Sequence, residues 1–417
     1  MTTPAAEEKK QKKILGVTPN VFFMGLTSLL TDISSELIFT LVPLFLSDVL
    51  GVSSTIIGLV GGLSDSMDSL FRIFSGWLSD KIGKRKLLAT LGYSISAAAK
   101  PFMLLANSWG AVLGVRLGDR LGKGTRSSSR DALIADSAEA KDRGRAFGLH
   151  RAMDTSGAVI GLIIAAIIIY IIPGDKFHLT RSAYHWMILI AIIPAVLAVV
   201  ILLTLVQERK KAAAAVKSGL AKTAAITPFS NQFKLYMVIL AVFTLGNSSD
   251  FFLILDAQHV QTPLLEVVLM LVLFNLTYAA VATPLGVVSD KLGRKKVISV
   301  GWLIYGLVYL GFALSSHIWQ LWVLFAVYGV FYGFCEGAAK AFVADMVPAE
   351  RRGTAYGLYN GVVGLMALPA SLIAGIVWSR IAPAATFYIG AGLALIAMVG
   401  LIFMIKEVKG KAVKQTT

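Results

Sequence analysis

The stretch Gly76-Trp-Leu-Ser-Asp80-Lys-Ile-Gly83-Lys-Arg85 recurs 210 residues later as Gly286-Val-Val-Ser-Asp290-Lys-Leu-Gly293-Arg-Lys295. Further echoes hold nearly the same spacing. Ala135-Asp136 returns as Ala344-Asp345, and Arg143-Gly144 with Gly148 as Arg352-Gly353 with Gly357, all at 209. Ser34-Ser35-Glu36 is matched by Ser248-Ser249-Asp250 at 214. A near-constant offset across several motifs marks an internal duplication. Each copy of the first stretch is a basic turn between long apolar runs, so the repeated unit is a bundle of membrane spans.

Composition agrees. The 417 residues are 56% hydrophobic and 15% charged, with mean hydropathy +0.73, whereas soluble domains carry about 25% charged residues. Twelve apolar helical segments lie at 19–49, 53–79, 87–106, 109–133, 142–171, 183–206, 232–258, 264–289, 297–315, 319–346, 352–379 and 383–406, most meeting or exceeding the roughly 20 residues a bilayer needs. The expected fold is an all-α integral membrane protein of twelve transmembrane helices in two pseudo-symmetric six-helix bundles. Its parts are a tail (1–18), a first bundle (19–206), a Lys/Ala-rich linker (207–231), a second bundle (232–406) and a tail (407–417). A soluble enzyme, a secreted module and a β-barrel are excluded.

The net charge of +15 reads as topology, not as a nucleic-acid footprint. With both termini cytoplasmic, the outer loops hold only Lys176, Arg181 and Arg380, while 81–85, 209–211, 291–296 and 351–352 lie inside. That asymmetry predicts N-in, C-in orientation, in the cytoplasmic membrane of a bacterium or archaeon. The single cysteine, Cys335, precludes an intramolecular disulfide. Residues 1–13 are polar and lysine-rich, so no cleaved leader is expected there.

At the two Gly-x-x-x-Asp-Lys-x-Gly loops the chain resembles the major facilitator superfamily over its whole length. The resemblance implies secondary transport by alternating access, with a midplane site between the bundles. It also implies a conformational latch formed by Gly76, Asp80, Gly83 and Arg85 and by Gly286, Asp290, Gly293 and Arg294, each carboxylate engaging the opposite half when the cytoplasmic side closes. Arg120-Leu-Gly-Lys123-Gly124 is similar to the arginine motif of the fourth helix, with lysine in place of glutamine. The fifth span has Gly157 and Gly161 without the Gly-Pro pairing of many proton-coupled drug exporters. Together with Thr31-Asp32-Ile-Ser-Ser-Glu36, span four resembles a prokaryotic subgroup from which no substrate carries over.

Ionisable groups at bilayer depth are functional candidates by default. On span four, Arg116, Asp119, Arg120, Lys123, Arg126, Arg130 and Asp131 fall within an arc of about 140° at roughly 100° per residue. Gly114, Gly118, Leu121, Thr125 and Ala132 face the other way, suited to close helix packing. The charged arc must meet water or other charges. At about 1.5 Å per residue, Asp32 and Glu36 reach the depth of Arg116 and Arg120, with Arg151 and Asp154 slightly lower. Two accounts fit, and both can hold: a structural ion-pair network, or a coupling site in which Asp32, Glu36 or Asp154 carries a proton and an arginine approaches in one conformation.

The candidate substrate-binding residues are Arg116, Arg120, Lys123, Arg151, Asn247, Asp250, Phe251 and Tyr332. Counting span-four signs gives an excess of cations, and whatever part of it the span-one acids leave unneutralised favours an anionic or amphipathic solute. Asp68–Arg72 and Glu336–Lys340 read as local i,i+4 pairs, and Lys100 as a paired or snorkelling charge. No metal cluster, nucleophile arrangement or nucleotide-binding loop is present, so neither enzymatic activity nor a cofactor is expected. The favoured reading is a monomeric, proton-coupled exporter of a small organic solute. The alternatives are an uncoupled organic-anion importer or exchanger and a non-transporting receptor or assembly protein.

Overall fold

The computed structural model describes residues 13–82, 84–139, 142–208, 229–348 and 351–406. Among them the twelve expected segments are all helical: α1 (Pro19–Val49), α2 (Ser54–Ile82), α3 (Arg85–Leu105), α4 (Trp109–Ser137), α5 (Arg143–Ile171), α6 (Arg181–Thr204), α7 (Asn231–His259), α8 (Leu264–Leu292), α9 (Arg294–Leu314), α10 (Ile318–Asp345), α11 (Arg352–Arg380) and α12 (Pro383–Met404). Among the described residues the only β-type pairing is an isolated bridge between Ile14 and Val17. Side-chain caps open three helices, with Ser108, Thr180 and Ser230 accepting from Ala111, Ala183 and Phe233 N–H and so satisfying orphan donors.

Ten of these helices are long and apolar enough to cross a membrane. The exceptions are α2 and α4, which carry Asp65, Asp68 and Arg72 and the charged arc. Both are sheltered by protein. Gly122 of α4 meets α3 so closely that an added Cβ would lie 2.6 Å from the Gly92 carbonyl oxygen, and Gly124 meets Phe71 and Arg72 of α2. The sequence reading chose Gly114 and Gly118 for this role. Space around Gly114 is open and Gly118 makes ordinary contact, because the close crossings with α2 and α3 fall further along the helix.

Packing repeats between the halves. α1 packs on α5 and α6, α2 on α4, and α3 on α4; correspondingly α7 packs on α11 and α12, α8 on α10, and α9 on α10. The halves meet along two seams, α2–α11 and α5–α8. Arg85 donates to Asp136 and the Ala132 carbonyl, as Arg294 does to Asp345 (2.5 Å) and the Ala341 carbonyl. Arg85 therefore corresponds to Arg294, an offset of 209 and not the 210 read from the glycines. Gly76, Asp80, Gly83 and Asp290 lie outside the residues whose side chains are described.

Three of the described helices are interrupted, α3 by a 3-10 segment, Lys100–Leu105, that begins at Lys100-Pro101. α1 is regular to Phe39 and ends in a π-helical turn, Phe45–Val49. α7 breaks between Gly246 and Phe251, where Asn247-Ser-Ser offers side chains that compete with the helical ladder. The freed groups are satisfied within the protein: Tyr305 Oη donates to the Gly246 carbonyl (3.0 Å), and Ser249 N–H donates to Ser371 Oγ (3.0 Å). Irregular backbone at this depth is tolerated only under such cover.

Candidate functional site

Antiparallel alternation of twelve helices places Pro19 and Met404 at one end of the bundle, called here the terminal end; the other is the distal end. At the distal end the halves are joined. Gln258 Nε2 donates to Asp48 Oδ1 (2.7 Å), Leu264 N–H to the Lys176 carbonyl (2.9 Å), and Thr55 Oγ1 contacts Ser379 Oγ (2.9 Å). Beneath this closure lies a cavity of about 250 Å³ lined by residues of both halves.

α1 contributes Asp32, Glu36 and Thr40, α2 Asp65, and α4 Arg116, Asp119, Arg120, Lys123 and Arg126. The second half contributes Asp250 and Phe251 of α7 and Phe274 and Asn275 of α8. Arg116 is buried between the Phe39 ring (4.9 Å) and the Phe251 ring (5.5 Å), an aromatic sandwich for its guanidinium. Arg120 reaches Asp65 at 3.8 Å, Arg126 lies over the Tyr93 ring at 4.6 Å, and Asp119 accepts from Ser96. Glu36 accepts from Thr40. Arg116 Nε, Arg120 Nε and Arg126 Nη1 are buried without a hydrogen-bond partner.

A second cavity of about 320 Å³ continues toward the terminal end, sharing Asp32, Lys123, Arg126 and Asn275 with the first. It adds Arg130, Arg151 and Asp154 from the first half and Tyr278, Glu336 and Lys340 from the second. Arg151 crosses between the halves, donating to Tyr278 Oη and to Glu336 Oε2 (2.6 Å). Asp154 lies 3.6 Å from His150. Arg151 and Lys340 are half exposed, and added Cβ atoms on Gly144, Gly148 and Gly353 would meet open space. This chamber is a vestibule open toward the terminal end.

Of the residues anticipated from sequence, Asp32, Glu36, Arg116, Arg120, Lys123, Asp250 and Phe251 converge on the inner cavity, with Arg151 and Asp154 in the vestibule. Tyr332 stands behind Asp250, donating to Oδ2 at 3.3 Å, while Tyr328 donates to Oδ1 at 2.6 Å. Asn247 is turned from the cavity, its Oδ1 accepting from Tyr305 (3.3 Å). Lys100 does not snorkel; it is fully buried and donates to Ser34 Oγ (2.7 Å) and Ser35 Oγ (3.1 Å). The local pairs form, Arg72 to Asp68 at 2.7 Å and Lys340 to Glu336 at 3.5 Å.

The charge count needs correction. The inner cavity holds five carboxylates (Asp32, Glu36, Asp65, Asp119, Asp250) against four cations (Arg116, Arg120, Lys123, Arg126). The excess of cations lies in the vestibule, where Arg72, Lys123, Arg126, Arg130, Arg151 and Lys340 face Asp32, Asp131, Asp154 and Glu336. Counting α4 alone missed the acids that other helices bring in. It also missed Asn275 and Tyr278, whose signal was the polar cluster Asn275, Thr277 and Tyr278 within the otherwise apolar run 267–282 of α8.

The profile of the Major Facilitator Superfamily matches residues 24–261 and 237–417. The chain belongs to this superfamily. An uncharacterised MFS-type transporter of Methanocaldococcus jannaschii is 37% identical over 97% of this chain and 100% of its own length. The multidrug resistance protein MdtG of Serratia proteamaculans is 34% identical over 32% of this chain and 33% of its own. Among solved structures, the nucleoside transporter NupG superposes with a TM-score of 0.76 at 14% identity, covering 93% of this chain and 100% of that one. The human organic anion transporter MFSD10 gives 0.63 at 17%, covering 92% and 99%. This superfamily member is thus an integral membrane transporter of a small-molecule substrate, and the receptor or assembly reading loses its support.

Proposed function

We propose that the protein exports a small anionic or amphipathic solute in exchange for protons, by alternating exposure of the inner cavity, with its terminal end in the cytoplasm. The observation that carries this reading is the cavity itself, walled by both halves, closed distally and continuous with a cationic vestibule. The guanidinium groups of Arg116, Arg120 and Arg126 line that cavity, and guanidinium donors suit a carboxylate or phosphate group. Solute would enter past the vestibule cations, engage Arg116, Arg120 and Lys123, and leave when the distal contacts part. The partial matches to multidrug resistance proteins support the outward direction.

Asp32 is the proton carrier in this proposal. Among the described residues it is the one carboxylate that lines both chambers, at the passage between them. Glu36 and Asp154 are secondary acids, one held by Thr40 and the other beside His150. Asp80 and Asp290 would latch the terminal side when it closes. In proteoliposomes, Asp32→Asn should abolish solute flux driven by an imposed pH gradient while the protein remains folded, and Arg120→Ala should abolish solute binding. Intact pH-driven flux in Asp32→Asn, Glu36→Gln and their double variant refutes the coupling assignment. The vestibule's cation excess serves an uncoupled organic-anion exchanger equally well, and counterflow insensitive to a protonophore would favour that second reading.

A further inference from the structure

The two seams between the halves are equivalent by the internal repeat but unequal in packing. Along α2–α11 the helices touch: an added Cβ on Gly375 would lie 2.6 Å from the Ser54 carbonyl oxygen, and one on Gly364 would lie 2.6 Å from Ser69 Cβ. Helices α5 and α8 touch less extensively. Gly148 and Gly286 face open space, whereas an added Cβ on Gly357, the repeat equivalent of Gly148, would be in van der Waals contact with Ile73 of α2 (3.9 Å). A groove of about 770 Å³ runs along α5 and α8. Its walls are largely apolar, with Phe147, Ala152 and Ile160 on α5 and Leu276, Ala279 and Ala282 on α8.

One part of this groove is not apolar. Arg151, Thr155 and Tyr278 line both the groove and the vestibule. Both hydrogen bonds of Arg151 leave from Nη2, so Nη1 and Nε retain donors on a side chain that is 52% exposed. An apolar cleft therefore runs to a cation, and beyond that cation lies a chamber with six positive and four negative side chains.

We propose that the α5–α8 groove holds the hydrocarbon chain of a single-chain anionic amphiphile drawn from the bilayer, its head group passing Arg151 into the vestibule. The proposal deepens the anionic or amphipathic substrate reading and rests on it. Each methylene kept out of water saves about 0.8 kcal/mol, so such a molecule resides in the membrane, and a lateral opening admits it without its passing through water. The cation excess selects the head group.

The test uses the full chain in phosphatidylcholine liposomes and a diazirine-bearing hexadecanoate as photolabel. Adducts should concentrate at 147–160 and 276–282, and hexadecanoate but not hexadecyltrimethylammonium should compete. Ala152→Trp combined with Ala279→Trp should fill the groove and cut labelling at 147–160 and 276–282 to the level found on the exposed faces of α6 and α9. Adducts spread evenly over the exposed faces of α6 and α9, or equal competition by the cationic amphiphile, overturn the proposal. The wild-type adduct map needs no variant, so misfolding of the tryptophan pair cannot obscure it. Proton-driven flux of hexanoate without groove adducts defeats only this inference. Groove adducts without proton-driven flux of any anion defeat only the coupled-export reading.

Discussion

Asp48→Ala should shift the protein toward a distally open state. In the structure its carboxylate accepts from Gln258 Nε2 across the halves (2.7 Å) and from Leu179 N–H within its own half (2.8 Å). Rocking breaks the first bond and preserves the second, so loss of the second cancels between conformations. A hydrogen bond to a charged group contributes about 1.5–3 kcal/mol, and Asp48 is only partly buried, which places the effect near the lower figure. About 1.5 kcal/mol is roughly a tenfold change in the ratio of closed to open. Spin labels at Ser53→Cys, exposed at the same end, and Arg380→Cys, on a Cys335→Ser background, would report the two populations by double electron–electron resonance. Gln258→Ala should produce the same shift, and the double variant should add little to either. An unchanged distance distribution in Asp48→Ala, or fully additive single effects, would refute the assignment of this bond to the distal closure.

Other substitutions probe the packing. Gly375→Ala should populate the distally open state, because its new Cβ would lie 2.6 Å from a backbone carbonyl of α2; the same spin-label pair reads this, and no shift contradicts it. Gly122→Ala should lower the thermal stability of detergent-solubilised protein, since its Cβ would sit 2.6 Å from the Gly92 carbonyl, whereas Gly114→Ala should be neutral or gain up to about 1 kcal/mol from helix propensity. Equal effects at the two glycines would contradict the α3–α4 crossing. Lys100→Met should destabilise by about 1.5–3 kcal/mol through loss of a buried charged donor to Ser34 and Ser35. A melting temperature unchanged from wild type would show that this lysine is dispensable to the fold. Lys340→Ala removes a half-exposed pair and should cost under about 1 kcal/mol.

The fold was legible because the bilayer imposes a simple rule, and twelve apolar runs plus a duplicated basic turn satisfy it. The helices themselves fall within a few residues of that reading. The site was legible where charge stands out against apolar surroundings, as with Asp32, Glu36, Arg116, Arg120 and Lys123. Sequence failed where the answer depended on helix rotation and crossing. Asn247 looked like a cavity residue one turn from Asp250, but the break in α7 turns it toward Tyr305. Lys100 read as either paired or snorkelling, and the choice fell to two serines of α1 that hold it inside. The cation excess moved from the inner cavity to the vestibule because the acids that balance α4 come from α1, α2 and α7. A one-residue slip in the repeat, Arg85 with Arg294, became visible only through their shared aspartate and carbonyl partners.

Transport by the proposed cycle requires a pocket that opens to one side of the membrane and then to the other. Asn275→Cys, on the Cys335→Ser background, puts a thiol on the wall shared by both chambers. Its reaction with a membrane-impermeant methanethiosulfonate in right-side-out and inverted vesicles measures access from each face. Modification from both faces, slower from the distal one and accelerated there by Asp48→Ala, is the predicted result. Modification from the terminal face alone, in wild type and Asp48→Ala alike, would contradict it.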